Sequence, residues 1–290
     1  MAKRTAFVFA GGGSLGAVQV GMLRALAGFG VVPDLVVGAS VGAINAVYYA
    51  GANTPEGIVQ LETVWGRIRR QDVFHLTWLS GMVGLVRRGG YLVDPMALSR
   101  LLQRHLPCTH LEHSRVPCHV VATDALTGDE VILSSGEAVA ALRASTAIPG
   151  LLEPVTLDGR MLVDGGVANN TPISTAVELG ATHVIVLPTG FPCAAGRPPA
   201  GPIAMALHAL NLLVARQLVR DTERFRAVVH VSVVPPLCPL PISSYDFSHG
   251  AELIGRAAVS TVRWLQQRGL ERGDTPPALL PHSHVGPEPG

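Results

Sequence analysis

Residues Gly38-Ala39-Ser40-Val41-Gly42 place a serine between two glycines where the chain switches abruptly from one hydrophobic pattern to another. Leu35-Val36-Val37 reads as a short buried strand, whereas Val41 to Ala50 is rich in Ala, Val and Ile, free of breakers, and reads as a helix. A strand that turns directly into a helix needs residues without bulk on either side of the turn. It also leaves the serine hydroxyl exposed at a helix N-terminus, whose free N–H groups can stabilise an oxyanion. Ser40 is therefore a candidate nucleophile, although small residues also occur wherever a strand and a helix pack closely.

Gly11-Gly12-Gly13-Ser14-Leu15-Gly16 follows the strand-like Ala6-Phe7-Val8-Phe9 and opens a helix running to about Ala27. Consecutive glycines let backbone N–H groups turn toward a ligand with no Cβ in the way, which makes an anion cradle. Gly11, Gly13 and Gly16 also fit a dinucleotide fingerprint, with Asp34 as the ribose-binding acid about 20 residues on. That acid should end the second strand, but Asp34 precedes Leu35 and would sit at the opposite edge of the sheet from the glycines. The glycines and Ser40 both fall at the carboxyl ends of strands, where open α/β sheets bind ligands.

Leu162-Val163-Asp164-Gly165-Gly166 puts a carboxylate at the end of a short strand. Asp-Gly alone is most often a turn. Beside a candidate nucleophile and an anion cradle, Asp164 gains a second reading, as the base that removes the serine proton.

These three motifs, with Ala144-Ser145-Thr146-Ala147-Ile148-Pro149-Gly150, resemble the bacterial patatin-like phospholipases over roughly residues 5 to 235. The resemblance implies a Ser-Asp dyad, with Ser40 as nucleophile, Asp164 as base, and Gly11, Gly12 and Gly13 as oxyanion donors. Gly16, Gly38, Gly42, Gly165 and Gly166 complete the family motifs. One departure is Leu15, where the family usually carries Arg or Lys; it bears on preference for anionic head groups more than on catalysis. A Ser-Asp-His triad is the alternative among hydrolases, and His183, His208, His230 and His249 all follow the acid in the required order. None has a supporting local motif, so the dyad is favoured.

Segments 5–10, 34–39, 118–124, 130–133, 161–164, 183–188 and 228–233 read as strands. Segments 17–28, 41–51, 55–69, 94–105, 136–146, 172–179, 203–226 and 248–268 read as helices. This alternation predicts an α/β fold with a largely parallel central sheet covered by helices on both faces. The motifs span residues 11 to 166, so residues 1–272 are expected to form one acyl hydrolase domain, and the Pro/Gly-rich residues 273–290, with His282 and His284, a disordered tail.

A net charge of +1 with 22 basic and 21 acidic residues gives no electrostatic case for nucleic acid or for strong attraction to anionic lipid. Cys108, Cys118, Cys193 and Cys238 lack CxxC spacing and paired histidines, which predicts reduced thiols, no metal and a cytoplasmic protein. Lys3 and Arg4 precede 19 uncharged residues, Thr5 to Leu23, but the glycines in the middle oppose a membrane helix, and cleavage would remove the anion cradle. The stretch between Val73 and Val86, with Phe74, Leu76, Trp78, Leu79, Met82, Val83 and Leu85, reads either as a core helix or as an interfacial cap hinged at Gly81 and Gly84 and ending at Arg87-Arg88. Thr189 to Pro202 is a candidate loop at the mouth of the site.

The expected function is hydrolysis of a phospholipid or lysophospholipid carboxylic ester through an acyl-enzyme, with no cofactor and with transient contact at a membrane surface. The competing readings are a dinucleotide-binding module and a catalytically silent lipid-binding protein of the same fold. The sequence specifies neither head group nor oligomeric state.

Overall fold

The computed structural model describes residues 3–73, 95–190, 193 and 201–280. The strands, in chain order, are β1 (Thr5–Phe9), β2 (Leu35–Ala39), β3 (Cys118–Asp124), β4 (Glu130–Leu133), β5 (Val155–Leu157), β6 (Arg160–Asp164), β7 (His183–Leu187) and β8 (His230–Val233). The helices used below are α1 (Ala17–Gly28), α2 (Val41–Gly51), α3 (Pro55–Arg67), α4 (Arg70–Val73), α5 (Pro95–His105), α6 (Ala138–Ser145), α7 (Gly166–Asn169), α8 (Ile173–Glu178), α9 (Pro202–Arg226) and α10 (Gly250–Gln266).

Strands β1, β2 and β7 are buried along their whole lengths, as expected of central parallel strands whose two faces are both covered. Along β1, Phe7 and Phe9 point into a core shared with α1, α2, α3 and α10. Ala6 and Val8 point the other way, toward Ile173 and Ala176 of α8 and Leu218 of α9. The alternation of side chains along a strand thus separates two cores, one on each face. Local signals set the helix starts: the Thr54 side chain accepts from Gly57 N–H at 3.2 Å, and Pro55 occupies the first turn of α3, where its missing N–H is not needed.

Parallel pairing joins β8, β7, β1, β2 and β3, and β3 then pairs antiparallel with both β4 and β6. The sheet is therefore mixed, with β8, β7, β1, β2 and β3 parallel and β4, β5 and β6 joined by antiparallel pairing. Val120 and Val121 of β3 have partners in both β2 and β4, whereas Ala122 and Thr123 have partners in β4 and β6. A residue has one partner per edge, so β2 and β6 share one edge of β3, end to end. Ala39 lies opposite Val121 and Asp164 opposite Ala122. This head-on arrangement brings the residue after β2, Ser40, to the last residue of β6.

The expected boundary at residue 272 moves. Leu279, on a short turn of helix at Pro277–Leu279, is 5% exposed and packs in the same core as Ala6 and Val8. Apolar burial of a side chain this complete makes residues 273–280 part of the packed body, and residues 281–290 lie outside the described residues. The cap or core helix expected at 73–86 also lies outside them beyond Val73, as does most of the loop from Thr189 to Pro202.

Candidate active site

Ser40 sits between β2 and α2 with φ 54° and ψ −129°, a conformation that ordinary L-residues rarely adopt. The turn is possible because Gly42 lets the helix start press against β1: a Cβ there would run into the carbonyl oxygens of Phe9 and Ala10. The sharp turn aims the hydroxyl away from the sheet, and Ser40 Oγ donates to Asp164 Oδ2 at 2.7 Å. The other carboxylate oxygen, Oδ1, accepts from the Gly166 N–H at 2.7 Å, which fixes the plane of the carboxylate. Thr123 Oγ1 donates to the Asp164 carbonyl at 2.8 Å and holds the strand end from behind.

Asp164 is 6% exposed. Burial pushes its carboxyl up to about 6, against the opposing pull of the bonds from Ser40 and Gly166. It is ionised at neutral pH and more basic than an ordinary aspartate.

The glycine loop lies beside this pair, held by groups from three other segments. Gly13 has φ 59°, and a Cβ at this position would strike the carbonyl of Ser244, which accepts from Ser14 N–H at 2.8 Å. Thr189 Oγ1 donates to the Gly11 carbonyl at 2.8 Å. Gly11 N–H is already committed to the Asn170 carbonyl at 3.0 Å, so the expectation that Gly11 supplies an oxyanion donor is corrected. Among the described residues, no group accepts from the N–H of Gly12 or Gly13. Gly16 and Gly38 act through packing: a Cβ at Gly16 would meet the Val41 side chain, and one at Gly38 the start of α2. Gly165 lies against the Val121 carbonyl in the same way. Leu15, where a basic residue was the family expectation, is 1% exposed and belongs to the core.

The Ala144–Gly150 motif supports the site, as do residues that carry no motif of their own. Ser145 Oγ donates to the Val121 carbonyl at 2.6 Å and accepts from the Ser40 N–H at 2.9 Å, bridging β3 to the serine turn. The Ser145 and Ala147 carbonyls accept from Gly165 and Asp164 N–H at 3.1 and 2.9 Å. Beneath the glycine loop, Gln19 Nε2 donates to the carbonyls of Ala10 and Leu187 at 2.8 and 2.9 Å. Asn45 Nδ2 donates to Gln19 Oε1 at 2.7 Å and to the Gly16 carbonyl at 2.9 Å, while its Oδ1 accepts from Trp65 Nε1 at 2.9 Å. Every amide group of Gln19 and Asn45 is thus used, and a fully satisfied buried network of this kind is rigid. It clamps both ends of the glycine loop. Only the tertiary fold brings these residues together, so hydrophobic periodicity carries no trace of them.

Two cavities meet at Ser40. One is of mixed lining, with Asp164, Asn170, Asn211 and Tyr245 beside Ile148, Val167, Leu210 and Val214. The other is almost wholly apolar, running between α2, α3 and α5 past Ile44, Leu61, Trp65, Leu98, Leu102 and Leu152.

The four candidate histidines line neither cavity. His183 and His230 sit at the amino ends of β7 and β8, and His249 pairs with Glu252 at 3.0 Å at the start of α10. Asp34 lies at that same far edge, where its carboxylate accepts from Thr5 N–H at 2.6 Å, which removes the dinucleotide reading of the glycine loop. Among the described residues no group of three His, Cys, Asp or Glu side chains is placed to hold a metal ion.

A serine on a sharp strand-to-helix turn, facing a buried carboxylate across the carboxyl edge of a helix-covered sheet, has the geometry of an α/β serine hydrolase. The chain belongs to the patatin-like phospholipase family, whose model matches residues 7–177. It is 33% identical over 166 residues to an uncharacterized NTE family protein of Mycobacterium tuberculosis, covering 57% of this chain and 27% of that one. It is 26% identical over 189 residues to the neuropathy target esterase of Drosophila melanogaster, covering 63% of this chain and 13% of the relative. A lysophospholipase of Mycosarcoma maydis is 27% identical over 190 residues, with 63% of this chain and 9% of the relative covered. The chain thus spans from about a tenth to about a quarter of the length of these relatives. Among solved structures, VipD from Legionella pneumophila superposes with a TM-score of 0.45 at 14% identity, covering 91% of this chain and 66% of that one.

Proposed function

We propose that this protein is a serine acyl hydrolase that cleaves the carboxylic ester of a phospholipid or lysophospholipid through a Ser40–Asp164 dyad. The observation that carries the reading is the 2.7 Å bond from Ser40 to a buried carboxylate at the junction of an apolar cavity and one of mixed lining. The apolar cavity takes the acyl chain, and the mixed one takes the alcohol side of the ester. Ser40 Oγ attacks the carbonyl carbon while its proton passes to Asp164 Oδ2. The developing oxyanion is met by the N–H groups of Gly12 and Gly13, which need no reorganisation to donate. Collapse of the tetrahedral intermediate breaks the ester C–O bond, and Asp164 returns the proton to the departing alkoxide. A water molecule, deprotonated by the same carboxylate, then attacks the acyl-enzyme; the acyl C–Oγ bond breaks, Asp164 returns the proton to Ser40 Oγ, and the fatty acid is released.

The family membership supports the lipid ester class, and the relative named a lysophospholipase supports the single-chain substrate. Asp164 raised to about 6 supports its role as base, because its basicity approaches neutrality while it stays ionised there. No helix among the described residues is long and apolar enough to cross a membrane. In this reading the lipid is met in the cytoplasm by transient surface contact. A fluorophosphonate probe tests the assignment: the wild-type protein is labelled and Ser40→Ala is not. Equal labelling of both, or hydrolysis of lysophosphatidylcholine by Ser40→Ala at the wild-type rate, overturns it.

A further inference from the structure

Helix α9 is two helices in character. Residues 202–215 contain no Asp, Glu, Lys or Arg, whereas residues 216–226 contain Arg216, Arg220, Asp221, Glu223, Arg224 and Arg226. The second half behaves as a surface helix should, with Leu218 and Thr222 buried against the sheet and charges outward. In the first half the polarity is reversed. Met205, Leu210, Leu212 and Leu213 are exposed, Leu213 to 67%, although no charged residue stands among them.

This apolar surface is continuous with the mouth of the site. Leu210 and Val214 line the cavity that holds Ser40 and Asp164, and Val167, 48% exposed, lines it as well. Asn211 Nδ2 donates to Ser244 Oγ at 3.1 Å, which ties this part of the helix to the segment that holds Gly13. Arg216 and Arg220 are exposed, three and seven positions beyond Leu213 and so on the same face of the helix. At 1.5 Å per residue, Arg220 lies about 10 Å along the axis from Leu213.

We propose that the first half of α9, together with Val167, is the surface by which the protein docks on a lipid–water interface. Leu212 and Leu213 enter the acyl boundary, Arg216 and Arg220 meet lipid phosphates, and the cavity mouth faces the lipid layer that supplies its ester. A folded protein partner seated on Leu210 and Val167 would close that mouth, whereas a lipid surface keeps it supplied. The proposal rests on the lipid-hydrolase reading for its purpose, but docking itself requires no turnover.

The test uses the full chain carrying Ser40→Ala, floated with vesicles of phosphatidylcholine and phosphatidylglycerol. Leu212→Ser with Leu213→Ser should lower the vesicle-bound fraction at least tenfold while the melting curve stays unchanged. In the active background the same pair should lower hydrolysis of vesicle lipid by a similar factor and leave hydrolysis of a soluble nitrophenyl ester as it was. Leu213→Trp provides an independent readout: its emission should shift to the blue and be quenched by brominated lipid on vesicle addition. Vesicle binding indifferent to the double substitution, or Leu213→Trp emission indifferent to vesicles, overturns the proposal even if hydrolysis is found. A change in oligomeric state on double substitution, without a change in vesicle binding, assigns the face to a second copy and overturns it too. Loss of all ester hydrolysis with docking intact leaves the surface standing and refutes the hydrolase instead.

Discussion

Two of the serines that lie next to titratable side chains stand at opposite ends of the same sheet. At the carboxyl edge, Ser40 donates to Asp164. At the amino edge, Ser232 of β8 lies 3.1 Å from the Nε2 atoms of both His183 and His230, whose rings are 4.7 Å apart. By distance alone the second cluster resembles half of a catalytic triad. Burial separates the two. It lifts the Asp164 carboxyl to about 6, making that carboxylate a better base, and together with His230 and Lys3 it lowers the His183 imidazole to about 4, making it a worse one. One physical cause acts in opposite directions because it penalises whichever form is charged. The backbone separates them further. Ser232 lies in a regular strand, is 0% exposed and donates to the Leu270 carbonyl at 2.8 Å, so its hydroxyl is spoken for and no ester can reach it.

The largest effect that tests this contrast is removal of each hydroxyl. Ser40→Ala should lower turnover of a soluble nitrophenyl ester by about 10⁴ or more, since a nucleophile and base act as a unit. Ser232→Ala should leave kcat and KM unchanged. Dependence on Ser232 comparable to that on Ser40 would reverse the assignment of the two clusters. Next come the bases: Asp164→Asn should approach the Ser40→Ala defect, whereas Ala at His183, His208, His230 or His249 should keep most of the activity in whatever fraction of protein folds. A histidine as necessary as Ser40, measured on folded protein, would replace the dyad by a triad.

A smaller effect is expected at the glycine loop. A Cβ at Gly12 would run into the Thr189 side chain, so Gly12→Val should turn the free amides away and lower kcat by about 10² to 10³, the usual contribution of one oxyanion donor. Unchanged kcat in a folded variant would remove the loop from the chemistry.

Smallest is the pH signature. With Asp164 near 6, kcat/KM should fall about tenfold for each unit below that value as the base is protonated. The effect on stability runs the other way. A carboxyl whose folded value is raised holds its proton more tightly when folded, so its stabilising contribution is complete below about 4 and is lost as pH rises through about 6. A shift of about two units corresponds to at most about 3 kcal/mol. Asp164→Asn should therefore melt higher than the wild type at pH 8, with the gap closing at pH 4; a gap that grows on acidification would contradict the burial argument.

What the sequence made legible follows from the range over which each signal acts. Strands β3 and β4 are visible to the residue, because runs such as Cys118–Asp124 and Glu130–Leu133 are long enough for a pattern and are bounded by breakers. Strand β5, only Val155–Leu157, is too short to show one. Its signal was nevertheless present in Asp158-Gly159, which joins β5 to β6 with both residues at positive φ, 49° and 75°. Of two Asp-Gly dipeptides six residues apart, this one is the hairpin turn, and the other lies beside Ser40. The commitment of Gly11 N–H to Asn170, the bridge through Ser145 and the Gln19–Asn45–Trp65 network depend on residues brought together from distant parts of the chain. No local pattern encodes them.

The backbone of Ser40 has a consequence for how this chain would change under heat selection. A non-glycine residue at φ 54° and ψ −129° carries strain of order 1–3 kcal/mol, which the surrounding structure must hold in place. Glycine would adopt that conformation with no Cβ to accommodate. Selection for thermal resistance alone should therefore drift position 40 toward glycine and yield a sturdier, inert protein. A library screened only by melting temperature would discard the hydroxyl first, and retention of serine at that position is itself a readout that turnover is under selection.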